Sequence, residues 1–296
     1  MRSRFLPEGR LLHTPENEAA CASCDGLRRA MEEGTVLEGV AQLCDGAHNL
    51  LVSVGPFTGF LPREEAALGI AEGTTREIAI LSRVGKPVCF QITALEESEG
   101  VLRPRLSRRR AQQAALDAML AGLHPGCILP AVVTHLESFG AFVDIGCGVP
   151  SLIGIENISV SRIPHPDQRF RVGQAIFAVV QELDPKLGRV YLTHRELLGT
   201  WLENASLFAP GDTVQGIVRG IQDYGAFIEL TPNLSGLTDR RDDLHEGDAV
   251  SVNIRSLRPE RMKVKLQVIE RLPPLPALEP LRYWITDGVL ERWVYS

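Results

Sequence analysis

The sequence predicts an all-β fold in which three tandem closed β-barrels are joined by short helices. Three observations predict it: a stretch near the middle of the chain recurs further on, each copy reads as short alternating strands separated by glycine, and helix signals fall between the copies. A closed antiparallel barrel is expected because closure leaves no exposed sheet edge. A chain of 296 residues has room for two or three domains of ~100–150 residues each.

The repeat is seen when residues 138–145 (SFGAFVDI) are aligned with residues 223–230 (DYGAFIEL), an offset of 85. Further on, residues 172–176 match residues 246–250 at an offset of 74, so the second copy lacks 11 residues between its middle strands. Insertions of this kind are expected in surface loops. Self-similarity at a domain-sized interval therefore indicates two copies of one module.

A weaker copy precedes these two. Residues 34–40 and 50–55 read as its first two strands, but Gly46-Ala47-His48-Asn49 stands where the other copies carry two aromatic residues. This stretch predicts a third barrel without the aromatic pair.

Helix signals separate the barrels. Ser107 precedes a helix-like stretch from Arg108 to Leu120, and Thr193 with Glu196 fits a capping box before Leu197. The predicted boundaries are a helical N-terminal lead (1–33), a degenerate barrel (34–106), a linker helix (107–124), a barrel (125–192), a linker helix (193–209), a barrel (210–271), and a Pro-rich link with a C-terminal appendage (272–296).

Composition limits the function classes. The net charge of −6 argues against an indiscriminate binder of duplex DNA, but it leaves room for a single-strand binder that uses stacking and a local basic groove. No apolar run approaches the ~20 residues needed to span a membrane, and the first residues contain no secretory segment. Six cysteines in a chain of this length indicate reduced thiols. We expect a cytoplasmic protein with no membrane partner.

The alternation of residues 142–145 raises a question about exposure. If Val143 and Ile145 point inward, Phe142 and Asp144 point outward. The second copy has the same alternation: Phe227 lies on the strand face opposite its aliphatic residues and on the same face as an acidic residue. Stacking of a base on such a ring is worth about 1–3 kcal/mol, which gives an exposed aromatic residue a function. A bulge at the Gly-Ala pair between the two rings is expected to turn Phe139 toward the same face.

Other candidate sites have weaker patterns. Cys21, Cys24, Cys44 and His48 are zinc-ligand types, but they fall in a helix-like stretch and at a strand end, so no metal is predicted. The patterns of a phosphate-binding loop, of H-E-x-x-H and of G-x-S-x-G do not occur. We therefore expect a protein that is not an enzyme and binds no cofactor. One basic cluster reads equally well as a phosphate contact or as a solvated helix start: Arg103, Arg105, Arg108, Arg109 and Arg110.

The segments SFGAFVDIG and DYGAFIELT, together with VGQAIFAVVQELDPKLGRVYLTHRE, resemble the S1 RNA-binding domain. The whole arrangement is similar to a short, three-domain protein of the bacterial ribosomal protein S1 type. This resemblance implies five-stranded oligonucleotide-binding (OB-fold) barrels that hold single-stranded RNA across one face. It assigns stacking to aromatic residues and polar or phosphate contacts to the last hairpin, at Phe139, Phe142, Asp184, Arg189, Tyr224, Phe227 and Lys263.

Three departures from the family pattern concern selectivity. Gly154 and Asp239 stand where family members often carry histidine, and Arg258 replaces the acid of the last hairpin. Weak or selective binding is consistent with these changes.

The resemblance implies non-catalytic binding of single-stranded RNA, with messenger RNA at or near the small ribosomal subunit during translation as the expected target. The same resemblance implies that the barrel over 34–106, which lacks the aromatic pair, attaches to the small subunit, as the leading repeats of that family do. Two alternatives remain open: a protein–protein adaptor whose barrels have lost RNA binding, and an accessory of RNA decay.

Overall fold

The computed structural model describes residues 5–98, 100–273 and 280–295. Within these ranges the chain forms three closed barrels of five strands each. The predicted fold of tandem OB-type barrels is confirmed. The first barrel consists of β1 (Leu37–Cys44), β2 (Leu50–Val54), β3 (Phe57–Leu61), β4 (Pro87–Ser98) and β5 (Val101–Ser107).

The other two barrels follow in sequence. The second contains β6 (Ile128–Glu137), β7 (Gly140–Asp144), β8 (Pro150–Gly154), β9 (Ala175–Asp184) and β10 (Arg189–Thr193). The third contains β11 (Thr213–Gln222), β12 (Gly225–Thr231), β13 (Leu234–Thr238), β14 (Ala249–Arg258) and β15 (Lys263–Arg271).

All three barrels share one topology. The first strand of each pairs with the second and the fourth, and the third closes the barrel against the fifth. That closing pair is parallel in every barrel, as in the pairing of β8 with β10. The expectation of a purely antiparallel barrel is therefore wrong at one seam, because the chain between third and fourth strands crosses over before it returns.

Helices lie before the first barrel, within its long loop and between barrels: α1 (Pro15–Cys21), α2 (Cys24–Glu33), α3 (Ile78–Leu81), α4 (Arg108–Gly122) and α5 (Trp201–Ala205). Ser107 caps α4 by accepting a hydrogen bond from Arg110 N.

The linker over 193–209 differs from a single helix. A 3₁₀ turn occupies Arg195–Leu198, and α5 follows as a separate five-residue helix. The capping box is formed by Thr200 and Glu203, further along the chain than the pair expected at Thr193. Gly199 causes the break, because its φ of +87° interrupts the helical path.

Each barrel has an interior of alternating aliphatic side chains. Val143 and Ile145 are buried in the second barrel, as is Ile228 in the third, as the alternation predicts. The glycines between the aromatic residues are required by close packing of strands. A Cβ on Gly140 would lie 2.4 Å from Ile153 O, and one on Gly225 would lie 2.2 Å from Thr238 O.

The predicted bulge lies on the neighbouring strand instead of at the Gly-Ala pair. The register shifts between Val133 and His135 in β6, and between Val218 and Gly220 in β11. One residue is therefore unpaired on the first strand of these two barrels, opposite the step from Phe142 to Val143 or from Phe227 to Ile228.

The junction between the first and second barrels is a buried ionic cluster. Arg108 binds Glu8 through two hydrogen bonds of 2.6 and 2.9 Å, and Arg83 adds a third at 3.2 Å. Burial acts to raise the pKa of Glu8, but the two guanidinium groups outweigh it and lower that pKa.

Asp144 is part of the same junction. Glu8 N donates to one carboxylate oxygen at 2.7 Å, while Gly146 N and Gly148 N donate to the other. Burial and the nearby charge of Glu8 raise the pKa of Asp144 to about 7, against the lowering effect of these hydrogen bonds and of Arg108.

The junction between the second and third barrels uses the equivalent acid. Glu229, at the offset of 85 from Asp144, accepts from Arg169 Nη2 at 2.6 Å and Arg219 Nε at 2.8 Å. Residues of the loop that the third barrel lacks complete the contact: Val160 N donates to Asn233 Oδ1 at 3.0 Å. The additional residues of the second barrel thus help to build this interface.

The C-terminal segment 280–295 returns across both later barrels. Leu290 N donates to Gly126 O at 2.8 Å, and Tyr295 Oη donates to Asn233 O at 2.7 Å. Tyr283 Oη donates to the buried ring of His194 at 3.1 Å. Most of the Pro-rich link, residues 274–279, lies outside the described residues.

Candidate nucleic-acid interface

The aromatic pair of the second barrel lies at the turn between β6 and β7. Phe139 precedes β7 and is 54% exposed, while Phe142, inside the strand, is half-buried. Their ring centroids are 6.0 Å apart and the planes are nearly perpendicular, at 87°. This edge-to-face contact holds each ring in place and leaves part of its surface open to solvent.

The third barrel repeats this geometry. Tyr224 is 66% exposed and Phe227 is 37% exposed. Their ring centroids are 6.2 Å apart with an interplanar angle of 88°. Two barrels thus present the same exposed aromatic arrangement at equivalent positions.

Strand register extends each pair into a line of side chains that we call the cross-strand row. Directly paired residues of neighbouring strands share one face of a sheet. The row of the second barrel runs across β6, β7, β8 and β10 through His135, Phe142, Leu152 and Tyr191. The row of the third barrel runs through Gly220, Phe227, Leu237 and Lys265.

Three aromatic or charged residues of these rows are absent from the set that the sequence suggested: His135, Tyr191 and Lys265. His135 and Lys265 are exposed, and Tyr191 is half-buried. The signal that could have found them is the pairing of strands, which places residues far apart in sequence on the same face.

Asp184 and Arg189 face each other across the β9–β10 hairpin of the second barrel. Asp184 Oδ1 accepts hydrogen bonds from Lys186 N and Leu187 N, each at 3.0 Å, so this carboxylate shapes the turn. Arg189 is exposed. The hairpin therefore presents a cation beside an acid that is already partly hydrogen-bonded.

Lys263 occupies the equivalent place in the third barrel, where it pairs with Arg258 across the β14–β15 hairpin. Both side chains are exposed. Since Arg258 replaces an acid, this hairpin carries two cations, and Lys265 adds another within the row.

The outward position expected for Asp144 and its counterpart is wrong. Asp144 is 4% exposed and Glu229 is 6% exposed, because a neighbouring barrel or the N-terminal segment covers this end of the strand. Asp144 and Glu229 therefore form hydrogen bonds at the junctions between barrels and are not available to a ligand.

The first barrel has a row of different chemistry. Register places Leu43, Leu51, Phe60 and Arg105 across β1, β2, β3 and β5. Leu43 is 48% exposed. Further exposed aliphatic side chains follow in the loop before β4: Ile78, Leu81 and Val84. This barrel therefore presents Leu51 at the row position where the other two present a phenylalanine.

Two of the candidate zinc ligands are in settings that disfavour metal binding. His48 Nδ1 lies 2.6 Å from Glu77 Oε2, and burial raises the pKa of the Cys21 thiol to about 11. Among the described residues, no group of three or more His, Cys, Asp or Glu side chains could hold a metal ion. In the same ranges, no helix is long and apolar enough to cross a membrane.

The basic cluster before the second barrel is largely neutralised. Arg108 is buried against Glu8, Arg109 lies 3.1 Å from Glu65, and Arg105 lies 3.5 Å from Glu96. The open alternative of a phosphate contact is thereby removed for Arg108, which solvent does not reach.

Residues 123–195 match the family model of the S1 RNA-binding domain. This range contains the complete second barrel, and the other two barrels share its topology. The second barrel thus matches the S1 RNA-binding domain, and the chain contains two further barrels of the same topology.

Relatives named small ribosomal subunit protein bS1 cover most of the chain. The protein from Leuconostoc lactis is 30% identical over 76% of this chain and 54% of its own length. That from Staphylococcus aureus (strain COL) is 26% identical over 83% of this chain and 64% of its own length. The chain spans between about half and two thirds of the length of these relatives.

Among solved structures, a multidomain protein with nucleic acid binding domains from Streptococcus pneumoniae is similar over 80% of this chain and 74% of that chain. It is 15% identical, with a TM-score of 0.27. A score this low supports no inference about the present chain.

Proposed function

We propose that this protein binds single-stranded RNA without catalysis, and that its target is messenger RNA at or near the small ribosomal subunit in the cytoplasm. The second and third barrels form the RNA-binding surfaces. Phe139, Phe142, Tyr224 and Phe227 stack bases, while Arg189 and Lys263 contact phosphate. Asp184 accepts a hydrogen bond through its remaining oxygen.

The observation that carries this proposal is the repeated aromatic pair. Two edge-to-face pairs with nearly equal separations stand in solvent at equivalent positions of two barrels. Packing gives no reason to keep such rings exposed twice, whereas every nucleobase offers a flat face to them. The S1 match over the second barrel supports the same ligand.

The direct test measures the affinity for a labelled oligouridylate of about 12 nucleotides by fluorescence anisotropy. Phe142→Ala combined with Phe227→Ala removes one ring from each barrel. Since stacking contributes about 1–3 kcal/mol per base, we expect each lost ring to weaken binding by about 5- to 150-fold. Leu202→Ala, which removes an exposed apolar side chain from α5, is the matched control.

Two results would contradict the proposal. One is an unchanged affinity in the double variant. The other is a large fall in thermal stability with unchanged binding, which would make the rings structural. An adaptor that had lost RNA binding would show neither affinity nor a decrease of affinity with added salt, whereas an RNA binder weakens as salt rises.

The first barrel has a second proposed role, attachment to a protein of the small subunit. Its row begins with two leucines, and Leu43 and Val84 are both exposed. Gly85 N donates to Ala41 O at 2.7 Å, which joins the end of the loop before β4 to β1. Exposed aliphatic carbon on this barrel favours a protein partner over a nucleobase.

Co-sedimentation with purified small subunits tests the attachment. We expect Leu43→Ser combined with Leu81→Ser to reduce the bound fraction while binding to free oligouridylate is kept. Val101→Ser, which changes another exposed aliphatic residue at the β4–β5 hairpin, is the control. Equal co-sedimentation of the three proteins would refute the role of this surface.

A further inference from the structure

The cross-strand row of the second barrel begins with a third ring. The side chain of His135 is 62% exposed. Its ring centroid lies 6.3 Å from that of Phe142, and the two planes are inclined by only 29°. His135 therefore extends the exposed aromatic surface in a roughly parallel orientation, whereas Phe139 meets Phe142 edge-on.

The backbone fixes this position. His135 follows the bulge in β6 and pairs with Phe142 across the ladder. The bulged residue, Thr134, donates its hydroxyl hydrogen to Phe142 O at 3.2 Å, which holds the irregular stretch against β7. The orientation of His135 thus comes from the sheet.

The polar edge of the ring is also partly committed. His135 Nε2 lies 2.7 Å from Glu137 Oε1, which limits rotation of the imidazole. Among the described residues, Nδ1 has no hydrogen-bonding partner. The ring can therefore contribute a stacking face and one nitrogen to a base lying against Phe142.

The three barrels differ at this position. The residue paired with the central row residue is Leu43 in the first barrel, His135 in the second and Gly220 in the third. The glycine has open surroundings: a Cβ there would meet only Glu246 Oε1, at 4.0 Å. The third barrel thus has space for a side chain at the position that His135 fills in the second.

We propose that His135 is a base-contacting residue of the second barrel, and that its presence makes this barrel a stronger RNA grip than the third. The inference rests on the proposed function, because it adds a contact to the same surface. It assigns unpaired nucleobases as the ligand of the His135 ring.

The test exchanges the two residues in backgrounds that isolate one barrel. In the full chain carrying Tyr224→Ala and Phe227→Ala, binding of the labelled oligouridylate reports the second barrel. We expect His135→Gly to weaken it by at least about fivefold and His135→Phe to retain it, because a phenyl ring still stacks. His165, a partly exposed histidine in the loop between β8 and β9, provides the control variant His165→Gly.

In the full chain carrying Phe139→Ala and Phe142→Ala, binding reports the third barrel. Gly220→His is expected to strengthen it by at least about threefold, since the added ring offers a base a second face. A residue that only supported Phe142 would give no gain in the third barrel. This gain is independent of any folding defect caused by His135→Gly.

Equal affinities of the parent and His135→Gly proteins would overturn the inference, as would a loss in the second barrel without a gain in the third. Failure of the proposed function is distinguishable from both results. In that case the parent with an intact second barrel would bind no oligouridylate at all.

Discussion

The first and second barrels have the same strand order and the same closing seam, yet the first two residues of their cross-strand rows differ in chemistry. One row begins with Leu43 and Leu51, and the other begins with His135 and Phe142. The barrel interior fixes where the row lies, and the residues placed on it are free to vary because they carry little of the packing. On the proposed function, the two barrels bind ligands of different classes while the fold stays constant.

The largest expected effect tests whether the docking of the two barrels contributes to this difference. Arg108→Ala leaves Glu8 buried without its main partner, which should lower the free energy of unfolding by about 3–5 kcal/mol. The affinity of the second barrel for oligouridylate should change less than about twofold, because the hydrogen bonds of Arg108 and Glu8 reach none of the row residues. Urea unfolding and anisotropy titration provide the two measurements.

The matched control for that change is Arg105→Ala, which removes an exposed ion pair with Glu96 and should cost less than about 1 kcal/mol. Loss of RNA binding in Arg108→Ala, at a urea concentration where the protein stays folded, would contradict the expectation that the junction does not affect the RNA affinity of the second barrel. It would show that docking shapes the second barrel's surface.

The next effect concerns His194, which directly follows β10, the last strand of the second barrel. Burial, reinforced by Arg169, lowers the pKa of His194 to about 4 against the hydrogen bond to Ile158 O. The unfolded chain then binds more protons between pH 4 and 6.5, so stability falls as the pH is lowered through this window. A pKa lowered by about 2.5 corresponds to about 3 kcal/mol.

Unfolding free energies measured at pH 7 and pH 4.5 in the parent and in His194→Gln isolate this contribution, because other groups titrate in both proteins. The variant should lose stability at pH 7 and show a smaller decrease on acidification. Parallel pH profiles for the two proteins would contradict the assignment.

The smallest expected effect is a gain. Leu43→His combined with Leu51→Phe places the first two residues of the second barrel's row at the equivalent positions of the first barrel. With both natural aromatic pairs replaced by alanine, this graft should restore oligouridylate binding by about 1 kcal/mol, or roughly fivefold. Anisotropy measures it, and a graft without any gain would show that the row alone does not determine the ligand.

The sequence predicted the barrels, their number and the exposed rings, because each depends on alternation and on a repeat visible in one chain. Phe139 and Tyr224 are recognisable from the sequence alone, since each stands directly before a glycine at the same position of the repeat. The outward position of Asp144 was wrong for a physical reason. Alternation gives the face of a strand, but another domain can cover the end of that face.

Other features depend on pairing between distant segments. His135 aligns with a glycine in the second copy, so comparison of the repeats hides it, and only the ladder to Phe142 places it on the surface of interest. Glu8 lies 100 residues from Arg108, in a stretch without periodicity, and its burial follows from the docking of three segments.

The returning segment of residues 280–295 determines how the chain would respond to mechanical force. Its hydrogen bonds join the loop before β6 to the turn between β12 and β13, bypassing the strands of the third barrel. A pull on Tyr295 would therefore first peel this strip from Asn233 and then from Gly126. Tension would thus load the contacts of this segment with both barrels before it reached the chain that follows β15.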